Sequence, residues 1–314
     1  SRQGMRAHYT MPKQRVTRRL NLPVLVFSIA ILGATPAFAQ STGTFFVKVT
    51  DPSTGESVPN LEVNSFQVQE DGATMEILSV EPGTTPMKVA VLIDNSETIQ
   101  QFQGISALRN GLLGFLNTLP EQHEVAMYSI AGNLQELSGF TTDRDALRSQ
   151  ADGLFPGSGG AKMINGLRET WTEAFDGSEN WPVFVLVLTD GPETSGNMNP
   201  EQFQTFVEDL VDKGAMVHGM VFETRGGGIQ SQIAPILAQN TGGMYNSFNS
   251  ANGFVNTLSD FGTEMGEHFD SLSDRYRLIY QRPTETPGTQ IGAGVLGQYQ
   301  MELFAVDSRR MPEQ

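Results

Sequence analysis

The sequence predicts an α/β fold in which helices cover a doubly wound, mostly parallel sheet, with a small β domain formed by N- and C-terminal strands. Two apolar runs, 89–93 and 183–188, show no polar alternation, which is typical of strands buried on both faces. Strands alternate with amphipathic helices between and after these runs, an order that favours a parallel sheet. Alternating segments at 44–81, 276–280 and 299–306 predict further, antiparallel strands.

Residues 1–39 are interpreted as upstream residues followed by a bacterial secretory signal peptide. A basic stretch from Met11 leads into an apolar run from Leu22 to Leu32, and residues 37–39 match an A-x-A cleavage pattern. The apolar run is too short to favour a membrane span. We therefore expect cleavage after Ala39, no membrane span in the mature protein, and a periplasmic or extracellular location.

Composition indicates an acidic, soluble, globular protein. The chain has 314 residues, of which 39% are hydrophobic and 18% charged, and its formal net charge is -15. Residues 1–39 contain six Lys/Arg and no Asp/Glu, so removing them leaves 14 basic and 35 acidic residues, a net charge of -21. Such a surface repels nucleic acid and anionic lipid, so neither is an expected partner. The absence of cysteine excludes disulfides, thiolate metal sites and cysteine nucleophiles.

An N-terminal β segment is predicted over residues 40–84. It contains a strand from Phe45 to Val49, an alternating strand that ends in the hairpin signal Asp71-Gly72, and a return strand at 75–80. A short proline-containing linker then leads into the main domain, which is predicted over residues 85–272.

Helices and strands alternate through the main domain. Apolar residues from Phe102 to Leu119 recur at three- and four-residue spacing and predict one helix that ends at Pro120. Asp143 and Asn199 are predicted helix caps, and Gly242 a glycine stop. The other predicted elements are helices at 143–153, 163–175, 200–210, 230–240 and 254–272, and strands at 125–130, 134–140 (an edge strand), 183–188, 215–222 and 244–248.

Residues 273–314 are predicted to be C-terminal β strands and a tail. Their two alternating segments are separated by a loop rich in Pro, Gly and Thr. We hypothesise that these strands pair with the N-terminal β segment and form one composite β domain.

Both central apolar runs end in a carboxylate. The first is followed by Asp94-Asn95-Ser96-Glu97-Thr98 and the second by Thr189-Asp190-Gly191. In open α/β sheets, ligands bind at the carboxyl ends of the strands. Oxygen donors are therefore expected to meet at one edge of the sheet.

The order and spacing of these residues resemble the metal ion-dependent adhesion site (MIDAS) of von Willebrand factor A (VWA) domains. The segment preceding them resembles the β segment of secreted bacterial VWA-related proteins. The resemblance implies that Asp94, Ser96, Thr98 and Asp190 bind Mg²⁺, with Mn²⁺ or Ca²⁺ as alternatives, and that a partner's carboxylate completes the coordination. It implies a non-catalytic adhesion or assembly module, not an enzyme.

One family ligand is missing. The family's later-loop threonine falls on Ala161, whose methyl group cannot coordinate a metal, and the neighbouring Lys162 ammonium would compete with a cation. Ser158 or Thr141 could substitute through a different loop path. Glu97 adds a negative charge that could partly compensate. The loss also favours an alternative, a degenerate VWA scaffold or assembly subunit that works without metal.

The same residues also allow simpler interpretations. Asp94 and Asp190 could accept only backbone hydrogen bonds at loop ends, and the scattered His123, His218 and His268 fit surface or packing roles. The glycines at 226–228 favour a flexible loop over a phosphate site, because G-x-G-x-x-G is absent.

A hydrolase is the least favoured class. Dehalogenase-type phosphatases need a second Asp where this chain has Ser96, which cannot act as an acid/base at neutral pH. No G-x-S-x-G motif or Ser-His-Asp order appears.

The expected partner is a protein that presents an acidic residue within a basic surround, because long-range repulsion would otherwise oppose its approach. The sequence is also compatible with a partner that is a second copy of the same chain.

Overall fold

The structure is a computed structural model that describes residues 28–31, 41–175, 177–196, 198–225, 227–282, 290–304 and 309–312, with 28–31 described by their backbone alone. The predicted cleavage site after Ala39 lies outside the described residues. In the described part of the chain, no helix combines the length and the apolar character that crossing a bilayer requires.

The described chain contains fourteen strands and seven α-helices. The strands are β1 Ser28–Ile31, β2 Thr42–Thr50, β3 Phe66–Glu70, β4 Ala73–Met75, β5 Ile77–Pro82, β6 Met87–Ile93, β7 Glu124–Ser129, β8 Gln135–Thr141, β9 Trp181–Thr189, β10 Met216–Phe222, β11 Tyr245–Phe248, β12 Arg275–Gln281, β13 Gln290–Val295 and β14 Gln300–Phe304. The helices are α1 Glu97–Gln101, α2 Ile105–Thr118, α3 Arg144–Asp152, α4 Met163–Ala174, α5 Pro200–Asp212, α6 Ile229–Thr241 and α7 Gly253–Ser273.

A six-stranded sheet forms the main domain, in the order β11-β10-β9-β6-β7-β8. Neighbouring strands in this sheet are parallel, except that β8 pairs antiparallel with β7 at one edge. This confirms the predicted α/β class and the predicted edge position of β8. The central pair, β6 and β9, carries the two apolar runs that end in carboxylates.

Helices cover both faces of this sheet. Alternate residues of β6 point to opposite faces, so Val89 and Val91 pack with α2, α3 and α7, whereas Ala90 and Leu92 pack with α4, α5 and α6. The strand residues from Val89 to Ile93 are all at most 1% exposed. Burial on both faces explains the continuous apolar runs that predicted these strands.

The termini form a composite β domain, as hypothesised. In one sheet, β12 pairs antiparallel with both β2 and β5, and β14 pairs with β2. The second sheet has the order β1-β13-β3-β4. The two sheets share a core that includes Phe45, Val68, Leu278 and Ile291.

The predicted helix caps are confirmed. The Asp143 carboxylate accepts the Ala146 N–H at 3.0 Å, and Asn199 forms a capping box with Gln202 in front of Pro200. Gly242 ends α6 with φ of 78°, in the left-handed region that favours glycine.

The prediction of one continuous helix from Phe102 to Leu119 is wrong. Gln103 adopts a left-handed φ of 54°, which separates α1 from α2. Phe102 consequently leaves the buried stripe and is 40% exposed. The apolar spacing did not reveal this break, because the stripe resumes in register with Ile105.

Two details of the β domain also differ from the prediction. The return strand at 75–80 is divided between β4, which pairs with β3, and β5, which pairs with β12 in the other sheet. In addition, β13 forms where a loop was expected. Its sequence, Gln-Ile-Gly-Ala-Gly-Val, has small residues between the apolar ones and therefore lacks the usual composition of a strand.

The contact between α2 and α7 generates a stability prediction. A Cβ at Gly111 would lie 2.6 Å from the Phe254 carbonyl oxygen, whereas a Cβ at Gly114 would first meet Ser259 at 3.6 Å. We expect Gly111→Ala to lower the free energy of unfolding by about 1–3 kcal/mol through overpacking. Gly114→Ala, the matched control on the same helix, should raise it by up to about 1 kcal/mol through helix propensity. Urea denaturation measures both, and equal effects would contradict the proposed packing.

Candidate functional site

Asp94 and Asp190 lie at the same edge of the sheet. They directly follow β6 and β9, which are adjacent and parallel, with Ile93 opposite Val187. We call residues 94–96, between β6 and α1, the first loop. The Asp94 N–H donates to the Val187 carbonyl at 2.8 Å, which joins the first loop to the neighbouring strand β9. We call this carboxyl edge of β6, β9 and β10, with the loops that follow these strands, the rim.

The Asp94 carboxylate is buried and held in one orientation. Its Oδ1 accepts the Ser96 N–H at 3.1 Å, and its Oδ2 accepts the Thr189 N–H at 3.1 Å and the Thr189 hydroxyl at 2.6 Å. The Gln230 amide also donates to Oδ2, at 3.3 Å. No ion pair between described residues includes Asp94. A fully buried carboxylate thus faces the rim with neutral partners only.

The two predicted hydroxyl ligands lie at the start of α1, in the segment that follows Asp94. Ser96 precedes α1 and is 1% exposed, and its hydroxyl has no hydrogen-bond partner among the described residues. Thr98, in the first turn of α1, lies against Gly191, where a Cβ would collide with the threonine hydroxyl. Glycine at 191 therefore lets the loop after β9 approach the Thr98 side chain.

The Asp190 carboxylate is bonded to the loop after β10. Its Oδ1 accepts the Thr224 hydroxyl at 2.6 Å, and its Oδ2 accepts the N–H groups of Thr224 and Arg225 at 2.9 and 2.7 Å. Thr224 was not among the predicted site residues. Thr224 lies two residues after β10, so the rule that placed Asp94 and Asp190 at the carboxyl edge also places Thr224 there, but it does not show that β10 lies next to β9.

Gly228, which precedes α6, allows close packing against the loop after β9. A Cβ at Gly228 would lie 2.6 Å from the Asp190 carbonyl oxygen, so only glycine lets the start of α6 approach the rim this closely. This contact gives Gly228 a packing role.

Ala161 lies in the loop that should carry the missing ligand. Its methyl group is fully buried in the core on the α4–α6 side of the sheet. Its N–H donates to the Pro192 carbonyl at 2.9 Å, and its own carbonyl accepts the Thr194 N–H at 2.7 Å. The loop is therefore bonded to the segment after Asp190, but position 161 supplies no side-chain oxygen.

Lys162 does not contact the predicted ligands. Its ammonium donates to the Asn133 side chain at 2.8 Å, in the loop after β7. Competition of this ammonium with a cation, considered from the sequence, does not occur in this arrangement.

Glu97 and Asn95 attach the Ala161 loop to the first loop. The Glu97 N–H donates to the Gly159 carbonyl at 3.2 Å, and the Gly159 N–H donates back to the Glu97 carboxylate at 3.0 Å. The Asn95 amide donates to the Phe155 carbonyl at 2.7 Å. The Glu97 carboxylate thus accepts a backbone N–H of the Ala161 loop. It holds the two loops together, whereas the sequence suggested that its charge compensates for the missing ligand at position 161.

Of the two substitute ligands, Thr141 is excluded. It pairs with Val125 near the start of β7, at the edge of the sheet opposite the rim. Ser158 is exposed in the attached loop beside Gly159 and stays the alternative donor.

The three histidines serve packing. The Nδ1 atoms of His123 and His218 accept the N–H groups of Met87 and Met244, each at 3.0 Å. The His268 ring bonds to the Arg309 carbonyl at 2.6 Å. Among the described residues, no group of three or more His, Cys, Asp or Glu side chains could hold a metal ion. Any ion at the rim would therefore depend on hydroxyl donors.

Residues 89–193 match the sequence model of the family described as von Willebrand factor type A domain. Curated proteins gave no match. Similar solved structures include a von Willebrand factor type A protein from Catenulispora acidiphila (11% identity, 89% of this chain and 69% of that chain, TM-score 0.48). Another is the conserved hypothetical protein BatB from Bacteroides thetaiotaomicron (15% identity, 60% of this chain and 98% of that chain, TM-score 0.44).

A third is proximal thread matrix protein 1 from the mussel byssus with a zinc occupied MIDAS motif (16% identity, 65% of this chain and 48% of that chain, TM-score 0.47). The chain spans about half the length of the mussel proteins that it matches.

The buried histidines predict acid sensitivity. Burial, with a smaller contribution from His268, lowers the pKa of His218 to about 3, and burial together with Arg144 lowers the pKa of His123 to about 4. The unfolded chain binds more protons below about pH 6.5, so stability should fall as pH decreases from there towards 4, by up to about 1.4 kcal/mol per pH unit for each histidine.

Urea denaturation at pH 7 and pH 5 tests this. His218→Asn keeps an acceptor for Met244 but removes the titration, so its stability should fall less than that of the wild type. An equal fall would mean that other groups cause the acid sensitivity.

Proposed function

Because the chain contains a von Willebrand factor type A domain, we propose that it is an exported, non-catalytic module that binds another protein through a Mg²⁺ ion at the rim. Asp94, Ser96 and Thr98 would hold the ion, with Asp190 as the fourth residue. The match of residues 89–193 to the von Willebrand factor type A model supports this proposal, because VWA domains are typically binding modules.

The buried, unpartnered Ser96 hydroxyl is the observation that carries this proposal. Leaving a buried hydroxyl without a hydrogen bond costs about 1–3 kcal/mol, and such a group is typically explained by a ligand or water. Ser96 lies next to a buried carboxylate with no cationic partner, two residues from a second hydroxyl. These donors fit a hard cation that prefers oxygen ligands, Mg²⁺ first and Mn²⁺ or Ca²⁺ as alternatives.

Asp190 requires a rearrangement. Its two carboxylate oxygens are bonded to Thr224 and Arg225, so it would join the ligand set by exchanging the Thr224 hydroxyl for the ion. Asp94 would therefore supply the carboxylate that first binds the ion, and Asp190 would increase the affinity for the ion when it leaves Thr224.

A bound ion held by neutral hydroxyls and one buried carboxylate retains positive charge, and it would attract a carboxylate of the partner. The acidic chain, at -15, repels acidic proteins at long range, so the partner's carboxylate is expected within a basic surround. Nucleic acid and anionic membranes are disfavoured on the same ground.

An exposed apolar side chain lies on the loop after α3, which is bonded to the rim through Asn95. Phe155 is 73% exposed, and the Arg109 guanidinium lies 5.3 Å from the centre of its ring. The Asn95 side chain fixes the Phe155 carbonyl. An exposed aromatic ring on a loop attached to the proposed ligand loop is a suitable contact point for a protein partner.

A second candidate function is a metal-free scaffold or assembly subunit. It is favoured by Ala161, whose buried methyl group replaces the family's ligand. In that case the rim and the β domain would make constitutive contacts, and self-association would be one possible assembly. Metal dependence separates the two candidates, because chelator would release the partner of an adhesion module from native envelope extracts but not that of a scaffold.

Removing the Ser96 hydroxyl tests the ion site directly. We expect Ser96→Ala to weaken Mg²⁺ binding at least about tenfold in calorimetry, while the metal-free protein keeps or slightly gains stability because an unsatisfied hydroxyl is removed. Thr170, on α4, is the matched control, because its buried hydroxyl also has no partner among the described residues. Thr170→Val should leave Mg²⁺ affinity unchanged. Absence of Mg²⁺ and Mn²⁺ binding by the wild type would support the scaffold.

Restoring the missing ligand gives a second test. Ala161→Thr should strengthen Mg²⁺ binding by about tenfold relative to Ala161→Val, which has the same shape without the hydroxyl. The pair controls for the volume added to a packed site, since both variants expand the core equally. If Thr and Val give the same affinity in calorimetry, position 161 does not face the ion.

A further inference from the structure

We propose that β13, Gln290–Val295, becomes an acceptor edge for a strand from another polypeptide once the leader is removed. This inference rests on the export part of the proposed function and is independent of the metal site. The expected occupant is an uncharged, extended segment of a partner protein that runs antiparallel to β13.

The strand that occupies this edge belongs to the predicted leader. Residues 28–31 pair antiparallel with β13, from Ser28 opposite Ala293 to Ile31 opposite Gln290. They precede the expected cleavage site after Ala39, so the mature chain would lack them. The N–H and C=O groups on this side of β13 would then have no strand partner.

The acceptor strand does not depend on β1 for its position. On its other side β13 pairs with β3 through five residue pairs, from Ile291 opposite Glu70 to Val295 opposite Phe66. Its residues Ile291, Ala293 and Val295 belong to the core of the β domain. Loss of β1 would therefore open an edge of a sheet that is otherwise held in place.

This edge lacks the features that protect exposed edge strands. Natural edges are commonly very short or carry charges or proline. The other edges of the two sheets follow this rule: β4 has three residues, β5 carries Glu81 and ends at Pro82, and β14 carries Glu302. In contrast, β13 contains no charged residue and no proline.

The chemistry of the occupant follows from strand geometry. Successive residues of a paired strand point to opposite faces, so every second residue of the donor lies on the same face as Ile291 and Ala293 of the β core. In the observed register these positions are Ala30 and Ser28, so the donor is expected to have small, uncharged residues there. The segment paired here, Ser-Ile-Ala-Ile, is uncharged. A second copy of β13 is a poorer donor, because Gly292 and Gly294 would contribute no cross-strand side-chain contacts.

The test uses the full chain expressed with its leader in a bacterial host and purified from the periplasm. Intact mass first establishes whether the chain begins after Ala39. The probe is a synthetic peptide of residues 25–34 with lysines added at both ends for solubility. We expect saturable binding to the processed chain, and slower amide hydrogen exchange in 290–295 when the peptide is bound.

The control peptide has the same side chains with N-methylated backbone amides and should bind at least about tenfold more weakly, because it cannot donate to the edge. Chelator and Ser96→Ala should not change peptide binding, so failure here is distinguishable from failure of the metal site. The proposal is overturned by a chain that retains residues 28–31, by equal binding of the two peptides, or by a dimer whose interface already protects 290–295.

Discussion

The hydrogen bonds between the Asp94 carboxylate and Thr189 organise the functional end of the molecule. They join the loop after β6 to the end of β9, at the centre of the parallel sheet. Because both residues are fully buried, these bonds are shielded from water and hold the carboxylate in one orientation. The positions of Asn95, Ser96 and Glu97 follow from this anchor. Asn95 and Glu97 then fix the loop that contains Phe155 and Gly159. The Asp94 carboxylate thus anchors the loop after β6, and that loop in turn holds the loop before α4.

Ala161 affects both the packing of that loop and the ligand set of the proposed ion site. Backbone bonds to Pro192 and Thr194 place the position beside the loop that follows Asp190, while the methyl group packs into the core. A threonine there would have to place a hydroxyl at a site now filled by apolar contacts. Alanine at position 161, where the family has threonine, therefore removes a ligand and at the same time packs the loop against the core. The proposed affinity for a cation therefore depends on the loop after β6, where Ser96 lacks a partner among the described residues, and on Asp190 after β9.

The parts of the fold that depend on strong local signals were predictable. Continuous apolar runs identified β6 and β9, and the Asn199-Pro200 pair identified the start of α5, because burial and capping act within a few residues. The break at Gln103 was not predictable, since its left-handed conformation has no composition signal and the apolar stripe continues beyond it. At the site, the proximity of Asp94 and Asp190 followed from parallel strands. The bonds from Thr224 to Asp190 depend on β10 lying next to β9, and strand order cannot be derived from periodicity.

The two surfaces proposed to bind partners, the rim and the β13 edge, lie on different domains. β5 leads into the start of β6 through a linker in which the Gly83 N–H donates to the Arg275 carbonyl at 2.8 Å, and β12 begins two residues after α7 ends. The β domain is therefore attached at the amino edge of the parallel sheet, whereas Asp94 and Ser96 lie at the carboxyl edge. A partner bound at the rim and a strand added to β13 would occupy different parts of the molecule without direct competition.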